Sequence, residues 1–70
     1  MDMIDERTTP EEAVRVAIER EKAAYEFYIR AAKLAKYPGT REMFESLAQE
    51  ELDHRRRLEE ELNKDYFKEM

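Results

Sequence analysis

Ser46-Leu47-Ala48-Gln49-Glu50-Glu51-Leu52-Asp53-His54 is the stretch that organises the chain. Around it, Phe44, Leu47, Leu58 and Leu62 recur at the three- and four-residue spacing of one helix face. Glu51 and His54 fall inside that stripe, within about a quarter turn of its centre at about 100° per residue. Two polar groups therefore point where apolar packing is expected. An unpaired ionised carboxylate in an apolar interior costs several kcal/mol, against a typical domain stability of only about 5–15 kcal/mol, so something must compensate it. A metal ion does so most simply. Residues three apart on a helix converge on one point, and Glu oxygen with neutral imidazole nitrogen suits iron, manganese or zinc.

Seventy residues make one small domain, and with 44% charged and 41% hydrophobic residues the supply of core is thin. One Gly and two Pro among many Ala, Glu, Lys, Arg and Leu predict long helices with few turns, an all-α chain. The absence of Cys excludes a disulfide scaffold, a Cys-ligated metal and thiol chemistry. A net charge of −5 opposes nucleic-acid binding, and the Arg55-Arg56-Arg57 run, hemmed in by acids, reads as a solvated helix face. No apolar run approaches the roughly 20 residues that span a bilayer, and the first residues do not resemble a signal peptide. The expectation is a cytoplasmic protein with no nucleic-acid or membrane partner.

In chain order, residues 1–8 lack periodicity and predict a frayed arm. Thr9-Pro10-Glu11-Glu12 predicts a helix start with Thr9 as cap, Pro10 in the first turn and Glu12 completing a capping box. Helix 1 is expected over about 10–36, ending where Tyr37-Pro38-Gly39 disfavours helix and supplies a flexible Gly for a turn. Val14, Ala17, Ile18, Glu21, Ala24, Tyr25, Tyr28, Ala32 and Ala35 share one face of it, and Glu21 is its strongly inward carboxylate, with Glu19 and Glu26 on the opposite side. A second, weaker stripe of Val16, Ala23, Phe27 and Leu34 predicts that another surface is also covered. Thr40 is expected to cap helix 2, running over about 40–63, with a short C-terminal tail whose Tyr66 and Phe67 offer further contacts.

The short link predicts an antiparallel hairpin in which Glu21, Glu51 and His54 meet. One hairpin supplies at most three ligands and leaves its apolar stripe uncovered. A two-fold dimer closes the stripes into a four-helix bundle and gives the site four Glu and two His. Four carboxylates balance two divalent ions if the imidazoles stay neutral, which predicts a di-metal centre.

Ala17-Ile18-x-x-Glu21-x-x-Ala24-x-x-x-Tyr28 followed by Phe44-x-x-Leu47-Ala48-x-Glu50-Glu51-x-x-His54-x-x-x-Leu58 resembles the first half of a rubrerythrin or ferritin-like domain, from about Pro10 to Leu62. The resemblance implies a di-iron site held by Glu21, Glu51 and His54, with Tyr28 close to the metals and Glu50 a second choice beside the motif. Rubrerythrin-like chains usually carry a second helix pair with its own ligands. A chain with one pair resembles instead the encapsulated ferritins, which build their iron site across a dimer, assemble into rings and sit inside an encapsulin shell. Tyr66-Phe67-Lys68-Glu69-Met70 does not read as the apolar targeting peptide those proteins carry.

What the resemblance implies is an oxidoreductase, a ferroxidase that oxidises Fe(II) with two ions per dimer and serves iron storage or detoxification, in the cytoplasm or an encapsulin compartment. Two alternatives stand beside it: a rubrerythrin-like peroxide reductase, which without Cys needs an external reductant, and a non-enzymatic helical assembly module in which His54 and the Glu residues satisfy one another. Tyr25 and Tyr28 read most simply as core aromatics with their hydroxyls at the bundle edge.

Overall fold

The structure, a computed structural model, describes residues 4–64. Two α-helices, α1 (Pro10–Leu34) and α2 (Pro38–Leu62), lie side by side as an antiparallel hairpin. The first helix starts where local chemistry asks it to. Thr9 Oγ1 accepts from the Glu12 N–H at 3.1 Å, and the Glu12 carboxylate accepts from the Thr9 N–H at 2.9 Å. Two donors that a helix start leaves without intrahelical partners are thereby satisfied, and Pro10 occupies the first turn, where its missing N–H costs nothing.

Before this start, residues 5–8 form a hydrogen-bonded turn instead of a frayed arm. The Thr8 N–H donates to Asp5 O at 3.0 Å, and Asp5 Oδ1 accepts from the Arg7 N–H at 2.8 Å. An Asp that bonds the backbone two residues on imitates a backbone turn, a local signal that hydrophobic periodicity does not carry.

The connection differs from the expectation at both ends. Helix α1 ends at Leu34, before Lys36, because Ala35 turns extended (φ −70°, ψ 131°). Helix α2 begins at Pro38, two residues before Thr40, and its cap residue is Tyr37, whose side chain makes no capping bond. Proline explains the second difference. It forces the preceding residue extended, as Tyr37 is (φ −110°, ψ 138°), while its own fixed φ suits the first helical position. Thr40 and Gly39 thus sit inside the first turn of α2, and Gly39 has no positive φ.

The described chain measures 49 × 26 × 11 Å. Its thin dimension is about one helix diameter, so the fold is a single layer with no second layer across either face. Burial is confined to the seam: Ile18, Ala32 and Ala48 alone are buried among the described residues, and the two alanines let the helices approach closely. Val14, Tyr25, Tyr28, Leu47, Leu58 and Leu62 stay half-exposed along it. Of the second stripe, Phe27 and Leu34 are 64% and 81% exposed. Among the described residues, no helix is long and apolar enough to cross a membrane. The tail with Tyr66 and Phe67 lies outside the described residues.

Candidate metal centre

Midway along the layer, α1 contributes Glu21 and α2 contributes Glu51 and His54. Ala17 and Ala24, one turn to either side of Glu21, leave room beside its carboxylate. The antiparallel register brings one ligand atom from each of the three residues within 4.8 Å of the others. His54 Nδ1 lies 3.1 Å from Glu51 Oε1 and 3.4 Å from Glu21 Oε2. The side chains of Glu21 and Glu51 are 23% and 18% exposed, whereas His54 is 49% exposed and stands at the open edge.

The donors and acceptors in this cluster do not balance. In the tautomer protonated at Nδ1 the imidazole has one proton to give here, and the shorter contact directs it to Glu51. Glu21 Oε2 is left buried without a hydrogen bond, despite His54 at ion-pair distance. The carboxyl–carboxyl hydrogen bond with Glu51, then burial, pushes Glu21 above the usual carboxylate range. The same contact holds Glu51 below it. One contact accounts for both directions, since the carboxyl–carboxyl bond favours the proton on Glu21 and the charge on Glu51. His54 is raised, first by its bond to the Glu51 carboxylate and further by the charge of Glu21.

A cation resolves the same imbalance. Two carboxylate oxygens and an imidazole nitrogen form a mixed hard and borderline donor set, and the orphaned Glu21 oxygen faces it. The residues present therefore fit a divalent metal ion. Binding requires ionised carboxylates and a neutral His54, so it is coupled to release of any proton that these three groups hold.

The other residues singled out in the sequence lie around this point. Tyr28 packs its ring against Phe44 (centroids 6.3 Å apart, planes at 25°) and edge-on to Phe27 at 5.4 Å, in the seam toward the turn. Tyr25 lines a separate shallow hollow with Ile29, Arg30 and Lys33. Glu50 is exposed and outside the cluster.

Arg57 is exposed, as expected of the Arg55-Arg56-Arg57 run, and it also borders the site. In the run taken as a solvated face, Arg55 pairs with Glu59 at 3.7 Å and Arg56 with Asp53 at 3.5 Å. Arg57, by contrast, lines an open hollow of about 440 Å³ with Ala17, Glu21, His54 and Leu58. Its position three residues after His54 was the available signal.

No curated protein and no solved structure matches the chain. The rubrerythrin family model matches residues 2–68, nearly the whole sequence. Rubrerythrins are ferritin-like proteins that typically bind iron, in keeping with a helical hairpin whose midpoint gathers two Glu and one His. The extent of that match and the helical architecture together show that this chain belongs to the rubrerythrin family.

Proposed function

We propose that two copies of this chain pack open face to open face and oxidise ferrous iron at a centre held by Glu21, Glu51 and His54 of each. The observation that carries this reading is the buried, unpartnered Glu21 Oε2 beside Glu51 and His54, on a layer one helix thick. Covering that face supports the fold and encloses the ligands in one step. Stable domains bury an apolar stripe against a second layer, and a second copy of this hairpin would supply one.

Each residue then has a distinct task. Glu21 and Glu51, ionised, would present oxygens whose coordination adapts as the ion's charge changes. His54, reaching the carboxylates through Nδ1, fixes one direction of approach. Leu58 and Ala17 flank the hollow and limit water. Iron supplies the redox step: two Fe(II) each give up one electron, and dioxygen takes two electrons and two protons to leave as hydrogen peroxide.

Ferrous iron added in air to the protein is expected to oxidise faster than in buffer. His54→Ala and Glu51→Ala should remove most of the gain, while Glu19→Ala on the exposed side keeps it. If both site variants match the parent, the reading fails. Sedimentation tests the pairing, and a folded monomer at micromolar concentration would overturn it.

The family match favours one second reading, peroxide reduction. Hydrogen peroxide would then take the two electrons and, with two protons, leave as water. This chain has no Cys, so re-reduction needs a separate electron donor. Supplying peroxide under anaerobic conditions, with the initial rate compared with that in air, separates the two.

A further inference from the structure

The charges of this hairpin are sorted by end. Residues 27–41, which include the turn, carry Arg30, Lys33, Lys36 and Arg41 and no acid, the nearest acids in sequence being Glu26 and Glu42. Residues 4–12 and 58–64, brought together at the open end by the antiparallel fold, carry seven acids against two cations. One end is thus +4 and the other −5 in these residues, or −3 once Arg15 and Arg55, which pair with Glu11 and Glu59 there, are included, on a body 49 Å long. At physiological ionic strength the Debye length is about 8 Å, so the ends cannot neutralise each other within one molecule.

The tip is also unpartnered locally. Elsewhere Arg15, Lys22, Arg55, Arg56 and Lys64 each meet a carboxylate three or four residues away, at 2.9–3.7 Å. Among the described residues, Arg30, Lys33, Lys36 and Arg41 have no such partner, and all four are exposed. Between them stand Leu34 and Tyr37, 81% and 73% exposed. Exposed apolar side chains ringed by unpaired charge mark a contact surface. At the opposite end Ile4 is likewise 45% exposed, beside Asp5 and Glu6.

We propose that the basic tip of one copy docks on the acidic open end of another, placing Leu34 and Tyr37 against the surface around Ile4. Charge complementarity selects this partner, because an acidic surface opposite in sign to the tip belongs to the same chain. The contact is heterologous, so it propagates into a ring if its rotation closes and into a row if it does not. It is independent of the metal centre and of apolar face-to-face pairing, which salt does not weaken.

The test is sedimentation velocity of the full chain at about 20 mM and about 500 mM salt, where the Debye length is roughly 20 Å and 4 Å. The parent is expected to at least double its mean mass at low salt. Lys33→Glu with Lys36→Glu should abolish that gain, as should Glu6→Lys with Glu60→Lys, with helicity by circular dichroism unchanged. Mixing the two variants should restore a doubling of mass, since the intact basic tip of one then meets the intact acidic end of the other. A parent mass independent of salt overturns the proposal without any variant. So does a mixture that stays small, or a tip that captures anionic vesicles or duplex DNA while the mixture shows no rescue.

Discussion

Two carboxylates on the same helix, Glu12 and Glu21, lie under three turns apart and have opposite fates. Glu12 bonds the Thr9 backbone N–H, and that bond, with one from the Thr9 hydroxyl, holds it below the usual carboxylate range. Glu21 keeps one buried oxygen without any donor and is pushed above that range. The first is satisfied by groups within three residues of it, so its purpose is complete inside the helix. The second keeps one oxygen, Oε2, that nothing the chain places near it satisfies. An acid in that condition requires either a proton or a cation, and this separates a structural carboxylate from one with a ligand to bind.

The largest expected effect follows from that difference. Ligand bound to the folded state adds RT ln(1 + [L]/Kd), about 2.7 kcal/mol at a hundredfold excess over Kd. For a chain this size the shift in Tm is on the order of 10 °C. Differential scanning calorimetry with Fe(II), Mn(II) or Zn(II) should show the rise in the parent. Glu21→Gln should remove most of it while leaving the metal-free Tm equal or higher, and Glu12→Gln should keep it. If the two variants behave alike, the distinction between these carboxylates collapses.

A pH series of the metal-free protein sharpens the comparison by sign. Glu21 has a folded pKa raised above its unfolded value, so its contribution is present at low pH and is lost as pH rises through the folded value. His54 is also raised, so its contribution is present below about 6.5 and is lost as pH rises through its own folded value. Glu12 and Glu51 are lowered; theirs is present above the usual carboxylate value and disappears as pH falls through the folded one. The metal-free Tm should therefore decline from mildly acidic to alkaline pH. His54→Gln should flatten the upper part of that decline, and Thr9→Ala should not. A decline of equal size in the parent and His54→Gln would contradict the assignment.

Two smaller effects test the local side. Thr9→Ala breaks the capping box and should lower Tm by the equivalent of about 1 kcal/mol, with the metal-induced shift unchanged. Gly39→Ala should raise stability by about 0.4–1 kcal/mol, because Gly39 has no positive φ and an added Cβ would meet nothing within 4 Å. Chemical denaturation of both, with and without Zn(II), should show the same increment in each state. A metal-dependent increment would mean that the helix starts and the centre are coupled.

The two helices were legible in the sequence because their determinants are local. Thr9-Pro10-Glu11-Glu12 carries its own cap, and the spacing of apolar residues sets which side of each helix faces inward. That periodicity also turns Glu21 and Glu51 inward and brings His54 to the open edge of the seam, since a side chain's azimuth depends only on its place in its own helix. The boundaries at the turn were less legible. Gly39 and Thr40 look like turn and cap chemistry, but Pro38 fits the first helical position and draws both into α2. What only the tertiary structure decided is the register between the helices, because it depends on how residues like Ala32 and Ala48, far apart in sequence, fit together at the seam. That register puts His54 Nδ1 3.1 Å from one carboxylate and 3.4 Å from the other, and directs its proton to Glu51. Glu21 is left with the unanswered oxygen, a shortage that exists only where two helices meet and that no spacing along one chain encodes.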